Sequence, residues 1–131
     1  MESILIIESS YMMRLFLINY LDKNFDVTAV ESPSEALELL EKRMRPDAVI
    51  SNFYGSKNLE RKPFLELISE LEERSIPLLV LTDQDKSDQR IETLKLGAKD
   101  SISKPFNPVE LQLRILSAMG LKGHDKMRRV A

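Results

Sequence analysis

The chain has no cysteine, no tryptophan, one histidine (His124) and only four glycines in 131 residues. Without thiols it has no disulfide framework, thiolate nucleophile or zinc–thiolate site, and a single imidazole rules out a histidine-rich metal site. Long apolar runs are also missing. The longest, such as Ile4–Ile7 and Leu78–Leu81, are far too short to span a bilayer, and Met1–Glu2 lacks the basic start of a signal peptide, so a cytoplasmic location is expected. Neither sign of charge dominates. With 19 Lys and Arg against 21 Asp and Glu the formal net charge is -2, which gives no bulk attraction to nucleic acid or to a membrane surface. What is present is ordinary for one folded domain: 43% hydrophobic and 31% charged residues, in a length that suits a single core.

Short runs of Ile, Leu and Val alternate with helical patterns. Ile4–Ile7, Val27–Val30, Ala48–Ser51, Leu78–Thr82 and Ser101–Ser103 read as strands. Their continuous apolar character implies burial on both faces, and the alternation with helices implies a parallel sheet with right-handed crossovers, a doubly wound α/β fold. Helices are expected near 11–22, 33–44, 63–74, 87–96 and 108–119. Ser32-Pro33-Ser34-Glu35 and Asn107-Pro108-Val109-Glu110 each resemble a capping box, with proline at the first helical position and glutamate reaching back to the cap amide. Gly97 suits a left-handed position closing the fourth helix. Such sheets place their functional crevice at the carboxyl ends of the strands. Those ends present Glu8, Ser9 and Ser10, then Asn52, then Thr82 and Asp83, then Lys104-Pro105.

That succession resembles the active site of bacterial response-regulator receiver domains. The resemblance runs from residue 3 to about 120, through Ile4-Leu5-Ile6-Ile7-Glu8, Arg45-Pro46-Asp47-Ala48-Val49-Ile50-Ser51-Asn52, Leu78-Leu79-Val80-Leu81-Thr82, Leu96-Gly97-Ala98-Lys99-Asp100 and Lys104-Pro105-Phe106-Asn107-Pro108. It implies a flavodoxin-like (βα)5 sheet of order 2-1-3-4-5, a cis Lys104-Pro105 peptide, and a domain covering residues 1–120 with a basic tail or linker at 121–131. In that family two acidic residues after the first strand and an aspartate after the third bind magnesium, and the aspartate accepts phosphate from a kinase histidine. Clustered carboxylates meet the cation's demand for oxygen, and a carboxylate is the nucleophile.

The chain departs from this pattern at the reacting atoms. Glu8 holds the first acidic position, Ser9 the second, and Asn52 the acceptor position; an amide is a far poorer nucleophile and forms no acyl phosphate. Thr82 and Lys104 match the residues that contact the phosphoryl group, while Ser101 stands where the family has its switch aromatic. The resemblance therefore implies a degenerate pseudo-receiver, chemotaxis-like in its single domain, with no resident cofactor and magnesium binding that is weak at best. Glu8 either holds a cation together with Asp83 or pairs with Lys104, and the ion pair is the preferred reading. A serine before the first helix is first of all an N-cap.

Two further features bear on partners. The loop Phe53–Lys62 is about four residues longer than the family pattern; its aromatic pair with Lys57, Asn58, Arg61 and Lys62 forms either a new contact surface or a tolerated insertion. At 100° per residue, Met13, Phe16, Leu17 and Tyr20 form one stripe, read as core, and Tyr11, Leu15 and Ile18 the opposite one. In the last helix Leu111, Ile115 and Ala118 are the expected core stripe, and Val109, Leu113 and Leu116 lie opposite. The two outer stripes are the candidate partner surface. Lys122, Lys126, Arg128 and Arg129 give the tail its charge. The leading reading is a signalling module that works through protein contacts with a histidine kinase, an output domain or a second copy, without aspartate phosphorylation. The alternatives are a receiver domain of a longer regulator and, remotely, a flavodoxin-like ligand-binding domain, against which stands the lack of a Gly-rich phosphate loop. No nucleophile–base pair is visible at the crevice, so an enzyme is not expected.

Overall fold

The computed structural model describes residues 1–121. Five strands alternate with five helices: β1 (Ser3–Ile7), α1 (Tyr11–Leu21), β2 (Asp26–Val30), α2 (Pro33–Glu41), β3 (Ala48–Asn52), α3 (Arg61–Glu73), β4 (Leu78–Thr82), α4 (Ser87–Leu96), β5 (Asp100–Ser103) and α5 (Pro108–Ala118). All strand pairs are parallel, in the order β2-β1-β3-β4-β5. The period-two alternation of strand side chains divides the apolar runs between two cores. Leu5, Ile7, Val49 and Val80 point to one face and pack with α2 and α3, whereas Ile4, Ile6, Ile50, Leu79 and Leu81 point to the other and meet α1 and α5. Among the described residues no helix is long and apolar enough to cross a membrane. The tail residues 122–131 lie outside the described residues.

Local chemistry sets the helix ends. Ser10 caps α1, its side chain accepting from the Met13 amide, and Ser32 and Asn107 cap α2 and α5 in the same way. The reciprocal half of the two expected capping boxes is absent, because Glu35 accepts from the Glu31 amide, one residue before the cap, and Glu110 pairs with Arg114. Gly97 closes α4 at φ 114°, a backbone conformation that favours glycine; an added Cβ there would meet only the end of the flexible Glu72 side chain. Lys104-Pro105 is cis.

The outer stripes require correction. Leu116 is fully buried, at 0% exposure, and Ile18 packs against the α1/α5 core, whereas Phe16, expected in the core, is 44% exposed. Leu15 is half-buried; Tyr11, Val109 and Leu113 do face outward. On a helical wheel both buried arcs are rotated by roughly 60–70° from the expected phase. In α1 the cause is that apolar residues occupy nearly every side, Met12, Met13, Leu15, Phe16, Leu17 and Ile18 in succession, so the pattern carries no unique phase. In α5 the buried arc runs from Leu111 through Ile115 to include Gln112 and Leu116. Leu116→Ala should therefore cost about 2–5 kcal/mol in denaturant unfolding. Leu113→Glu, at a side chain 45% exposed, should stay within about 0.5 kcal/mol of the parent. Equal losses at both positions would show that the face of α5 is misplaced.

Candidate functional site

Glu8 follows β1, Asn52 ends β3 and Thr82 ends β4, so the parallel register brings their side chains to one end of the sheet, and Lys104 joins them from beyond β5. Glu8 is 2% exposed. A carboxylate this deep needs donors, and it has three: the Ser10 backbone amide donates to Oε2 at 2.9 Å, the Asn52 side-chain amide donates to the same oxygen at 2.6 Å, and the Lys104 ammonium reaches Oε1 at 3.4 Å. The ion-pair reading of Glu8 thus matches the geometry. Asp83 turns away to Gln89, accepting from its side-chain amide and donating its own backbone N–H to it. Ser9 is exposed, and the serine that caps α1 is Ser10.

Because both Glu8 oxygens accept, the NH2 of Asn52 must face Glu8, which aims Asn52 Oδ1 away from it. That oxygen is buried without a hydrogen-bond partner, as is the Thr82 hydroxyl. A magnesium ion fits this set poorly. The single carboxylate is already occupied by three N–H donors, and among the described residues no three acidic or imidazole groups converge. Ser101 lines an open groove of about 580 Å³ between α4 and α5, beside Ile91, Leu94 and Arg114, with no aromatic side chain on β5 to fill it.

The lengthened loop faces outward only in its middle, and its aromatic pair does not. Tyr54 is buried against Phe64 with ring centroids 5.4 Å apart, and Phe53 meets Phe64 edge-on at 6.1 Å, so the aromatic pair belongs to the α2/α3 core. Arg61 is likewise engaged, donating to the Tyr54 carbonyl and pairing with Glu92. Asn58 accepts from the Glu60 amide, Lys57 and Lys62 are exposed, and Leu59 is 98% exposed.

One residue at the crevice has no counterpart among the expected site residues, and another was expected on the loop surface instead. Arg14 donates to the carbonyls of Glu8 and Ser9, pairs with Glu31 and stacks over Tyr11, holding the loop between β1 and α1. Its signal was available, as the only charge in an otherwise apolar first half of α1. Tyr54 is the other. Its hydroxyl lies close to the Asn52 amide without the geometry of a hydrogen bond. Burial, and then the negative charges of Glu8 and Glu60, push its pKa up to about 12, only partly offset by the Asn52 amide.

Two measurements check this site. Lys104→Met leaves the Glu8 carboxylate without its counter-charge and should destabilise by on the order of 1–2 kcal/mol, less than for a fully buried pair because the lysine reaches solvent. The raised phenol pKa means that the folded state holds the Tyr54 proton after the unfolded state has released it. Its contribution is therefore complete below about pH 10 and lost as pH rises toward about 12, at most about 2–3 kcal/mol. Tyr54→Phe should flatten that decline in unfolding experiments, and an unchanged slope would place the hydroxyl in solvent.

The fold agrees with that of known proteins. The family model for the response regulator receiver domain matches residues 4–116. The chain is 31% identical over 120 residues to the phosphate regulon transcriptional regulatory protein PhoB of Klebsiella pneumoniae, covering 88% of this chain and 51% of that protein. It is 29% identical over 114 residues to histidine kinase P4 of Formosa agariphila, covering 87% of this chain but 8% of the kinase. The chain thus spans about half or less of the length of these curated relatives. Among solved structures, the receiver domain of a sensor histidine kinase from Pseudomonas aeruginosa, which holds a magnesium ion in its active-site cleft, superimposes with a TM-score of 0.75 at 26% identity, covering 91% of this chain and 98% of that one. The signal receiver domain of a histidine kinase from Syntrophus aciditrophicus gives 0.76, also at 26% identity, covering 92% and 91%.

Proposed function

As the chain belongs to the response regulator receiver domain family, we propose that it is a pseudo-receiver: a module of two-component signalling that acts through protein contacts, without phosphorylation of an aspartate and without an enzymatic reaction of its own. The observation that carries this reading is the Asn52 amide donating to Glu8 at 2.6 Å. Phosphoryl transfer needs an ionised carboxylate oxygen at this place as nucleophile, and the amide supplies instead a neutral donor that holds the neighbouring carboxylate. Thr82 and Lys104 retain the phosphoryl-contacting types, but Lys104 is committed to Glu8. Glu8, Ser9, Asn52, Thr82 and Lys104 form a degenerate pocket, and magnesium binds it weakly. With Ser101 in β5, the threonine–aromatic rearrangement of the family has no moving ring.

A second reading has its own support. The relatives carry this domain within longer proteins, a regulator and a kinase, so the chain also suits the receiver part of a longer regulator, with residues 121–131 as the start of a linker. A cytoplasmic place and partners among kinases, output domains or copies of itself belong to both readings. The surface for contact is narrower than the two full stripes: Tyr11 on α1, joined by Met12 and Phe16, and Val109 with Leu113 on α5, all exposed. Neither Ile18 nor Leu116 contributes to it.

Incubation with acetyl phosphate and magnesium should give no hydroxylamine-labile adduct of about 80 Da, the mass of one phosphoryl group. An adduct mapped to the crevice would refute the reading. Ser9→Asp with Asn52→Asp should restore magnesium binding in calorimetry if pocket geometry is what the family requires. For the contact surface, Tyr11→Glu with Leu113→Glu should leave the melting temperature near that of the parent and weaken association at least about tenfold, since burying one such side chain contributes about 1.5–3 kcal/mol. Unchanged association in the folded double variant would remove this surface from the proposal.

A further inference from the structure

Consecutive residues at the start of α3 tie the lengthened loop to two other helices. The Glu60 carboxylate accepts from the backbone amide and hydroxyl of Ser34 in the first turn of α2, each at 2.8 Å. The Arg61 guanidinium donates to the Tyr54 carbonyl at 2.8 Å with one nitrogen and pairs with Glu92 of α4 with another, and it lies over the Phe53 ring at 5.8 Å. Arg61 therefore touches both residues that follow Asn52 directly, and a helix on the far side of the loop.

α4 needs such an anchor. Its N-cap residue, Lys86, makes no side-chain cap hydrogen bond, and Thr93 is its only buried residue. Ile91 and Leu94 are exposed. Beyond Arg61, the side-chain hydrogen bonds of the helix among the described residues are Arg90 with the Ser103 hydroxyl and Gln89 with Asp83. A helix with so little buried apolar area is held largely by its polar ties, which places it at the low-stability end of the fold.

We propose that Arg61 is a positioning residue that couples the crevice to α4: the guanidinium fork reads the placement of the Phe53–Tyr54 backbone beside Asn52 and sets the position of α4 through Glu92. The fork suits this task, because one planar group presents several donors in fixed directions and holds a carbonyl and a carboxylate at once. The coupling runs through loop and helix rather than through β5, where Ser101 offers no ring to move. It does not depend on whether Asn52 replaces a phosphorylation site, since its test reads amide exchange and not phosphoryl transfer.

Hydrogen exchange of the full chain, followed by mass spectrometry on peptides covering α4, supplies the test. Arg61→Gln and Glu92→Gln should each speed α4 exchange by about fivefold, the scale of losing one partly exposed ion pair, and the double variant should add little to either. The charge swap Arg61→Glu with Glu92→Arg should restore protection of α4 but not of the Phe53–Gly55 amides, because it recreates the pair and not the bond to the Tyr54 carbonyl. Coupling itself is read from the crevice: Asn52→Ala should change α4 exchange in the parent and not in Arg61→Gln, as a shared two-site free energy requires. Should Arg61→Gln fail to fold, Glu92→Gln in its place decides, since Glu92 is a partly exposed side chain. If α4 exchange is unmoved by either single variant, or responds to Asn52→Ala with Arg61 and without it alike, the proposal fails.

Discussion

A buried carboxylate must be surrounded by donors, and the rest of the crevice is arranged around meeting that demand at Glu8. The Ser10 amide donates because α1 begins there, the Lys104 ammonium arrives on the connection after β5, and the Asn52 amide comes from the end of β3. Each donor belongs to a different segment, so one side chain ties together the turn after β1, the neighbouring strand and the turn that leads to α5. Asparagine does here the work that a second carboxylate with a cation between would otherwise require. An aspartate at position 52 would face Glu8 as a like charge, leaving Lys104 to neutralise two carboxylates. Asparagine at this position offers no carboxylate nucleophile and instead donates to the neighbouring carboxylate.

Much of the fold was legible because strand burial is a one-dimensional signal. Leu78–Thr82 and Ser87–Leu96 coincide with β4 and α4, and the strand order implied by the family resemblance is the one observed. Helix phase was less legible. α1 carries apolar side chains almost all round, so periodicity left its buried side undetermined, and Ile18 and Phe16 exchanged their expected places. Leu116 departs from expectation for a related reason, because the buried arc of α5 is turned from the Leu111/Ile115/Ala118 stripe toward Gln112 and Leu116. The capping boxes failed in their second half because Glu35 and Glu110 found other partners, a donor one residue earlier and an arginine one turn on.

At the crevice, residue types at the strand ends were readable from order alone, and Glu8, Asn52, Thr82 and Lys104 do share one end of the sheet. Orientation was not. That Asn52 turns its NH2 and not its oxygen to Glu8 follows only once the carboxylate is seen to be buried and otherwise held by donors. The lengthened loop was hardest to read, since a run containing Phe53, Tyr54, Lys57, Asn58 and Arg61 looks like an exposed binding surface by composition. Its aromatics instead found Phe64, which begins the buried side of α3, and Arg61 found a carbonyl and a carboxylate.

The central claim, an acceptor site closed by an asparagine that is already committed to Glu8, is tested most directly by the nuclear magnetic resonance signals of the Asn52 side-chain amide. The account predicts one NH2 proton slowed in exchange by its bond to Glu8, and no shift of either proton when beryllofluoride, which with magnesium mimics an aspartyl phosphate, is added at constant magnesium concentration. Fast exchange of both protons, or a saturable shift at Asn52 and Thr82 on adding the mimic, would contradict it.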